Sequence, residues 1–214
     1  MSLTLHGFFR SSAAFRVRIA LNLKGLPHEQ VSVNLFAGAQ HEPAYRAINP
    51  QGIVPSLVDG DAVLNQSLAI LEYLEERFPQ PPLLPTDAAA RARVRAMALN
   101  VACEIHPLAS LKPQSYLERE FGASQAQRDD WARYWMGRGF EAFEARLAGH
   151  PQTGSFCHGD TPTFADLCLV PQMFNARLLQ LDLSPYPTMV RIEQSCLALP
   201  AFEQALPANQ PDAV

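Results

Sequence analysis

The apolar positions change their spacing part-way along the chain. Up to about residue 80, short runs of β character alternate with stretches of helical periodicity. Leu3-Thr4-Leu5-His6-Gly7-Phe8 is a short β-type run. Ser11-Ser12 is then a polar helix start, and Phe15 to Leu23 carries apolar residues at helical spacing. Lys24-Gly25 ends that helix, with a cation at the carbonyl end and a glycine for the left-handed residue beyond. Val31-Ser32-Val33-Asn34-Leu35 alternates as a strand does. A loop and a short helix follow. Asn49-Pro50-Gln51-Gly52 then turns the chain into a strand ending at Leu57. Asp59-Gly60 predicts a two-residue hairpin that returns through Ala62-Val63-Leu64. Ser67 opens another helix, with Ile70, Leu71 and Leu74 on one face. The order βαβ, helix, hairpin, helix predicts a small α/β unit with a mixed sheet.

Pro79, Pro81, Pro82 and Pro85 come next. Proline cannot continue a helix, so this cluster predicts a stiff connector. Strand signals vanish beyond it. Ala88 to Cys103 and the region from Tyr116 to Phe121 have helical spacing. Trp131, Trp135, Met136, Phe140, Phe143 and Leu147 fall three to four residues apart, a stripe that predicts core packing. Thr163-Phe164-Ala165-Asp166 before an apolar run is a capping box, which is a folding device. The expected division is 1–80 for the α/β domain, 81–86 for the proline-rich linker and 87–214 for an all-helical bundle.

Composition narrows the function classes. The 214 residues are 48% hydrophobic and 18% charged, an ordinary globular balance that argues against disorder. A formal charge of −4 is the wrong sign for a protein that coats nucleic acid. No run of about 18 apolar residues predicts a membrane span. Arg10, Arg16 and Arg18 interrupt the apolar region that a signal peptide needs, so a cytoplasmic protein is expected. Cys103, Cys157, Cys168 and Cys196 are too few for a disulfide scaffold and have no CxxC spacing. The six histidines form no HxxxH or HExxH, so no metal site is expected. GxGxxG, GxxxxGK[ST] and GxSxG are all missing from the sequence.

Chemistry is suggested at three places in the first domain. Phe9-Arg10-Ser11-Ser12 ends the first strand, where ligands bind in open α/β sheets, and a helix N-terminus favours an anion there. From Met1 to His28 there are four basic residues and no acidic one. The plainer alternative makes Ser11 or Ser12 only a helix cap. Val54-Pro55 enters a strand with a residue that cannot donate to the ladder. Cis X–Pro bonds make up only about 5–6% in folded proteins, which argues for trans at this step. Gln66-Ser67 opens a second helix N-terminus. Two such termini and an exposed backbone edge suit a ligand with a carboxylate, peptide groups and a thiolate.

Phe9-Arg10-Ser11-Ser12-x-x-x-Arg16-Val17-Arg18-Ile19-Ala20-Leu21 resembles the active-site motif of zeta-class glutathione transferases, the maleylacetoacetate isomerase family. Asn49-Pro50-x-x-x-Val54-Pro55, Gln66-Ser67-Leu68-Ala69-Ile70 and Glu72-Tyr73-Leu74-Glu75-Glu76 follow in register. So do Gly159-Asp160-x-Pro162-Thr163-x-Ala165-Asp166-Leu167-Cys168-Leu169-Val170-Pro171-Gln172, then Asp182-Leu183-x-Pro185-Tyr186-Pro187 and Gln210-Pro211-Asp212.

The resemblance covers nearly the whole chain. It implies glutathione transferase architecture: a thioredoxin-like α/β domain with a mixed sheet, an all-α helical second domain, a homodimer and a cis bond at Val54-Pro55. It implies glutathione as cofactor, with Ser11 facing the sulfur and Ser12 beside it. Gln40 would reach the glycyl end, Val54-Pro55 the cysteinyl backbone, and Gln66 and Ser67 the γ-glutamyl group. His106 and Ser110 would lie near the tripeptide. Arg10, Lys112 and Arg177 are the candidates for substrate carboxylates. The implied reaction is the glutathione-dependent cis–trans isomerisation of a maleyl-type oxo-diacid, maleylacetoacetate to fumarylacetoacetate. The alternatives are maleylpyruvate isomerisation, general glutathione transfer or α-haloacid dehalogenation, and glutathione binding without turnover. Three positions depart from the family pattern: Ala13 stands where cysteine is common, Ala109-Ser110 where asparagine is usual, and Leu178 in an arginine slot with Arg177 one residue earlier.

Overall fold

The computed structural model describes residues 3–213. The chain divides into two compact units, Met1–Pro82 with Leu197–Val214, and Leu83–Cys196. The first unit holds the strands β1 (Leu3–Gly7), β2 (His28–Ser32), β3 (Ser56–Asp59) and β4 (Ala62–Asn65). Between and after them lie the helices α1 (Ser12–Leu23), α2 (Pro43–Ile48) and α3 (Ser67–Arg77). The sheet order is β2-β1-β3-β4, with β1 and β2 parallel and the other two pairs antiparallel. This is the expected mixed sheet. Its register decides where chemistry can gather. Gly7 pairs with Ser32, His6 with Ser56, and Ser56 with Asn65. The segments after β1 and β2, before β3 and after β4 therefore all leave the sheet at one end.

Two strand boundaries differ from expectation. The second strand runs three residues earlier than the alternation at 31–35 suggests. Val33 has left the ladder: its N–H donates to the Gly7 carbonyl at 2.7 Å, and its side chain is buried with Phe8, Phe9, Tyr45 and Val54. The alternation thus reports burial under a loop. In the hairpin, Asp59 still pairs with Ala62, so the turn residues are Gly60 and Asp61, with Gly60 at φ +59° supplying the left-handed conformation.

The C-terminal segment also sits elsewhere than expected. Residues from Leu197 onward belong with the α/β unit, not with the helices of 87–196. Side chains of α1 make the tie. Arg18 Nε donates to the Ala205 carbonyl at 3.1 Å and Asn22 Nδ2 to the Ala201 carbonyl at 3.0 Å.

Among the described residues the second unit is all helical. Its longer helices are α4 (Ala88–Leu99), α6 (Leu111–Phe121), α7 (Gln125–Leu147), α8 (Phe164–Leu178) and α9 (Pro187–Leu197), with the short α5 (His106–Ala109) between α4 and α6. The helix expected over 88–103 is regular only to Leu99. A π-helical turn, Asn100–Ile105, follows, and the His106 N–H bonds the Val101 carbonyl. Pro107 has no N–H to extend the α pattern there. The stripe on α7 is core as expected at Met136, Phe140, Phe143 and Leu147. Trp131 and Trp135 are only partly buried, and the Trp131 indole N–H donates to the Leu108 carbonyl at 2.7 Å. The capping box before α8 is present: Asp166 Oδ2 accepts from the Thr163 N–H and hydroxyl, both at 2.8 Å. No helix among the described residues is long and apolar enough to cross a membrane.

Candidate active site at one end of the sheet

β1 delivers a tight corner. Phe8 and Phe9 are buried, Arg10 is exposed, and the Ser11 N–H closes the turn on the Phe8 carbonyl at 2.9 Å. Ser11 is the N-cap of α1: its Oγ accepts the Ala14 N–H at 3.2 Å. The plainer alternative for this serine is therefore real, but it leaves the chemistry open. An oxygen that accepts from a backbone N–H still has its own proton to donate. Ser11 is half-buried, whereas Ser12 is buried in the first turn of the helix. Of the two serines, Ser11 is the accessible one.

The strand β3 begins beside this corner. Val54-Pro55 is cis, as is Gln80-Pro81. Val54 packs in the same apolar cluster as Phe8 and Phe9, and neither its N–H nor its carbonyl has a hydrogen-bond partner among the described residues. Buried backbone groups are nearly always paired, so an unpaired edge here fits a ligand's peptide group. The loop before it is built by Asn49, whose Nδ2 donates to the Ile53 carbonyl at 2.8 Å and whose Oδ1 accepts the Gln51 N–H at 3.0 Å. The Tyr45 hydroxyl adds a second bond to that carbonyl at 2.7 Å. Gln40 lies alongside: its carbonyl oxygen would be 3.1 Å from a Cβ placed on Gly52. The side-chain Oε1 of Gln40 is buried and unpartnered.

β4 delivers the third element. Gln66 sits at φ +70°, a conformation that costs an ordinary side chain roughly 1–3 kcal/mol and clusters at ligand sites. Its Nε2 donates to Gln51 Oε1 at 2.9 Å. Ser67 is buried, and its Oγ accepts from Arg16 Nη1 at 3.1 Å. Arg16 is 2% exposed, and its Nε and Nη2 have no partner among the described residues. A buried guanidinium lacking a counter-ion is costly, and an anion near Ser67 would offset that cost. Ser11, Val54, Gln40, Gln66 and Ser67 thus share one end of the sheet. The arrangement offers, in order, a hydroxyl proton at a helix start, a free peptide edge, an unpaired amide oxygen and a positive anion seat.

Comparisons with known proteins give the family. Residues 5–82 match the family model for the glutathione S-transferase N-terminal domain. A probable maleylacetoacetate isomerase of Vibrio cholerae is 46% identical over 100% of this chain and 99% of its own length. A solved bacterial maleylpyruvate isomerase, described as a zeta-class glutathione transferase, is 47% identical, with a TM-score of 0.97 over 99% of this chain and 100% of its own. The chain belongs to the zeta-class glutathione transferase family. A further member of the family, the maleylacetoacetate isomerase of Methylobacterium extorquens AM1 solved with malonate and glutathione, is 45% identical, with a TM-score of 0.96 and 99% coverage of both chains.

The candidates in the helical unit of this zeta-class chain are less uniform. His106 opens α5 and is half-buried. Ser110 is the N-cap residue of α6, and its hydroxyl donates to the Pro107 carbonyl at 3.0 Å. Lys112 is exposed on the first turn of α6. Arg177 is engaged. Its Nε donates to Glu193 Oε1 at 3.1 Å and its Nη2 to the other carboxylate oxygen, and that hydrogen bonding pushes the guanidinium pKa up. Leu178 stands 48% exposed beside it. Among the described residues no cluster of side chains could hold a metal ion, and all four cysteines are free thiols. Cys157 is buried, and burial first, then the Asp166 carboxylate, push its thiol well above the ordinary range, so it is no nucleophile.

Sequence reasoning missed Arg16 as more than one of several N-terminal cations. Its signal was available: a charge inside an apolar run, Phe15 to Leu21, that faces the core on every side. Neither Arg18 nor Asp212 had a site role on the sequence alone. The structure brings both onto the corner before Ser11.

Proposed function

We infer that the chain is a glutathione-dependent cis–trans isomerase of a maleyl-type oxo-diacid, converting maleylacetoacetate to fumarylacetoacetate. The observation that carries the reading is the convergence of Ser11, the unpaired Val54 edge and the Arg16–Ser67 pair at one end of the sheet. Those groups match the parts of glutathione one for one. The double bond of a maleyl group does not rotate on a useful timescale. Glutathione, when bound, supplies the thiolate whose reversible addition makes that bond single.

The remaining chemistry falls to the chain. A thiol with a pKa of about 8.5 is mostly protonated at neutral pH. The Ser11 hydroxyl, held as an acceptor by the Ala14 N–H, presents its proton to the sulfur and favours the thiolate. The N-terminus of α1 acts in the same direction. Val54 offers its N–H and carbonyl to the cysteinyl backbone. Gln40 faces the glycyl end. Ser67 and Gln66 hold the γ-glutamyl group, with Pro55 shaping the edge and Ser12 standing beside Ser11. Arg177 is already committed to Glu193, and Arg10, exposed at the corner before Ser11, takes a substrate carboxylate. The chain works as a homodimer in the cytoplasm; a monomer in sedimentation at micromolar concentration would contradict the first part.

The test is conversion of maleylacetoacetate and maleylpyruvate with and without glutathione. The expected result is fumaryl product only when glutathione is present, with the acetoacetate compound preferred. Preference for maleylpyruvate would reassign the substrate. Binding of glutathione with no isomerisation of either compound would overturn the reading. Dehalogenation of an α-haloacid in its place would make the chain a transferase.

A further inference from the structure

The end of the chain returns to the corner that carries Ser11. Asp212 Oδ2 accepts the Phe9 N–H at 3.1 Å and the Ser32 hydroxyl at 2.7 Å. Gln210 folds the chain back to make this contact. Its amide nitrogen donates to the Gln204 and Leu206 carbonyls at 2.8 Å each, and its oxygen accepts from Gln30 Nε2 at 3.1 Å. Arg18, 2% exposed, approaches the same corner from α1. Its Nη1 lies 3.4 Å from the Phe8 carbonyl, its Nη2 donates to the Phe9 carbonyl at 3.1 Å, and its Nε holds Ala205. Burial pulls this guanidinium down to about 10, and the Asp212 charge works against that shift.

An ordinary helix start needs only its cap, and Ser11 already supplies one through Ala14. Here two side chains from distant parts of the sequence also hold both carbonyls and an N–H of the two residues before Arg10. Such holding matters most where a reacting group must be placed, since a misplacement of about 1 Å can cost ~10²-fold in rate. We propose that Arg18 and the C-terminal Gln210-Pro211-Asp212 segment form a clasp on Phe8–Phe9 that positions the Ser11 hydroxyl for the glutathione sulfur. Arg18 and Asp212 are positioning residues in this account. The proposal rests on the reading that Ser11 faces that sulfur. Removing the Asp212 acceptor frees the Phe9 peptide to turn, and Arg10-Ser11 moves with it.

The experiment is ultraviolet titration of the thiolate in the complex of the full chain with glutathione. It compares wild type, Ser11→Ala, Asp212→Ala, Asp212→Asn and the Asp212→Ala/Ser11→Ala double variant, with kcat and the KM for glutathione measured alongside. Ser11→Ala should raise the apparent pKa of the bound thiol. Asp212→Ala should raise it in the same direction, by roughly half a pH unit. It should also lower kcat at neutral pH by about tenfold, with a smaller change in KM. Asp212→Asn keeps an amide oxygen for Phe9 and should restore the wild-type titration. The double variant should titrate as Ser11→Ala does. If Ser11→Ala shifts the titration and Asp212→Ala does not, the clasp is wrong and the reading of Ser11 stands. If Ser11→Ala itself shifts nothing, both fall. Equal behaviour of Asp212→Ala and Asp212→Asn would make the charge, not the acceptor, responsible and overturn the clasp. Should Asp212→Ala fail to fold, Asp212→Ser, too short to reach Phe9, repeats the comparison; loss of fold in both would show a folding element and overturn positioning.

Discussion

Arg16 has only donors to give, so its bond to Ser67 settles the direction of that contact: the serine oxygen accepts, and the serine proton points elsewhere. A carboxylate is the natural recipient, because a hydrogen bond to a charged group is stronger than one between neutral groups. Ser67→Ala should therefore weaken glutathione binding by about 1.5–3 kcal/mol, the usual size for such a bond. Calorimetry checks this, and unchanged affinity would remove Ser67 from the γ-glutamyl seat. The same logic separates the two adjacent serines. Ser11 is capped and half-buried, with a proton to offer, and Ser12 is turned into the packed first turn. Ser11 and Ser67 were legible in the sequence as polar residues at helix starts. Arg16 and Asp212 were not, because burial and long-range partners decide their roles, and neither is written in local spacing.

The helices show what a polar residue does when its partners are buried. Asp166 accepts the Cys157 N–H, the Thr163 N–H and the Thr163 hydroxyl, each at 2.8 Å. Burial pushes its carboxyl up, and those bonds hold it down against that push. Asp166→Ala leaves two buried N–H groups without an acceptor and removes a cap. At about 1–3 kcal/mol per orphaned group and ~1 for the cap, the expected loss is about 3–7 kcal/mol by denaturant unfolding. A loss under 1 kcal/mol would show that water replaces the carboxylate, on the order of a free exchange. The loop before α8 carries a pH response. Arg93 donates to the Cys157 carbonyl at 2.8 Å and to Thr153 Oγ1 at 3.0 Å, and its Nη1 lies 3.4 Å from His158 Nδ1. Burial first, and then Arg93, push the His158 pKa below its ordinary value. In the unfolded chain this histidine titrates near ~6.5. Below that pH the unfolded state binds more protons, so the stability present above it is lost as pH falls toward the lower folded value. The melting midpoint of the wild type should fall more between about pH 7 and 5.5 than that of His158→Gln, and equal falls would contradict the assignment. At this scale the sequence was read correctly where periodicity and packing coincide, as in α1, α3 and α7. It misplaced β2, because Val33 and Leu35 alternate for a buried loop and not for a ladder.

Over the whole molecule, the sheet register is what turns scattered motifs into a site. Four strand ends leave the sheet together, so residues near positions 10, 40, 54 and 66 meet although the chain separates them widely. Polar helix starts and the Val54-Pro55 edge pointed to one ligand, but hydrophobic spacing alone does not fix the strand order that brings them together. The C-terminal segment belongs to the α/β unit for a reason that composition could not reveal, since its ties are side-chain bonds from Arg18 and Asn22 to backbone carbonyls. In the proposed reaction a thiol held at this sheet end acts and is returned. The most direct measurement follows free glutathione while maleylacetoacetate in large excess is turned over. Full conversion to the fumaryl isomer with the glutathione concentration unchanged is the predicted result. Loss of one glutathione for each substrate converted would contradict it.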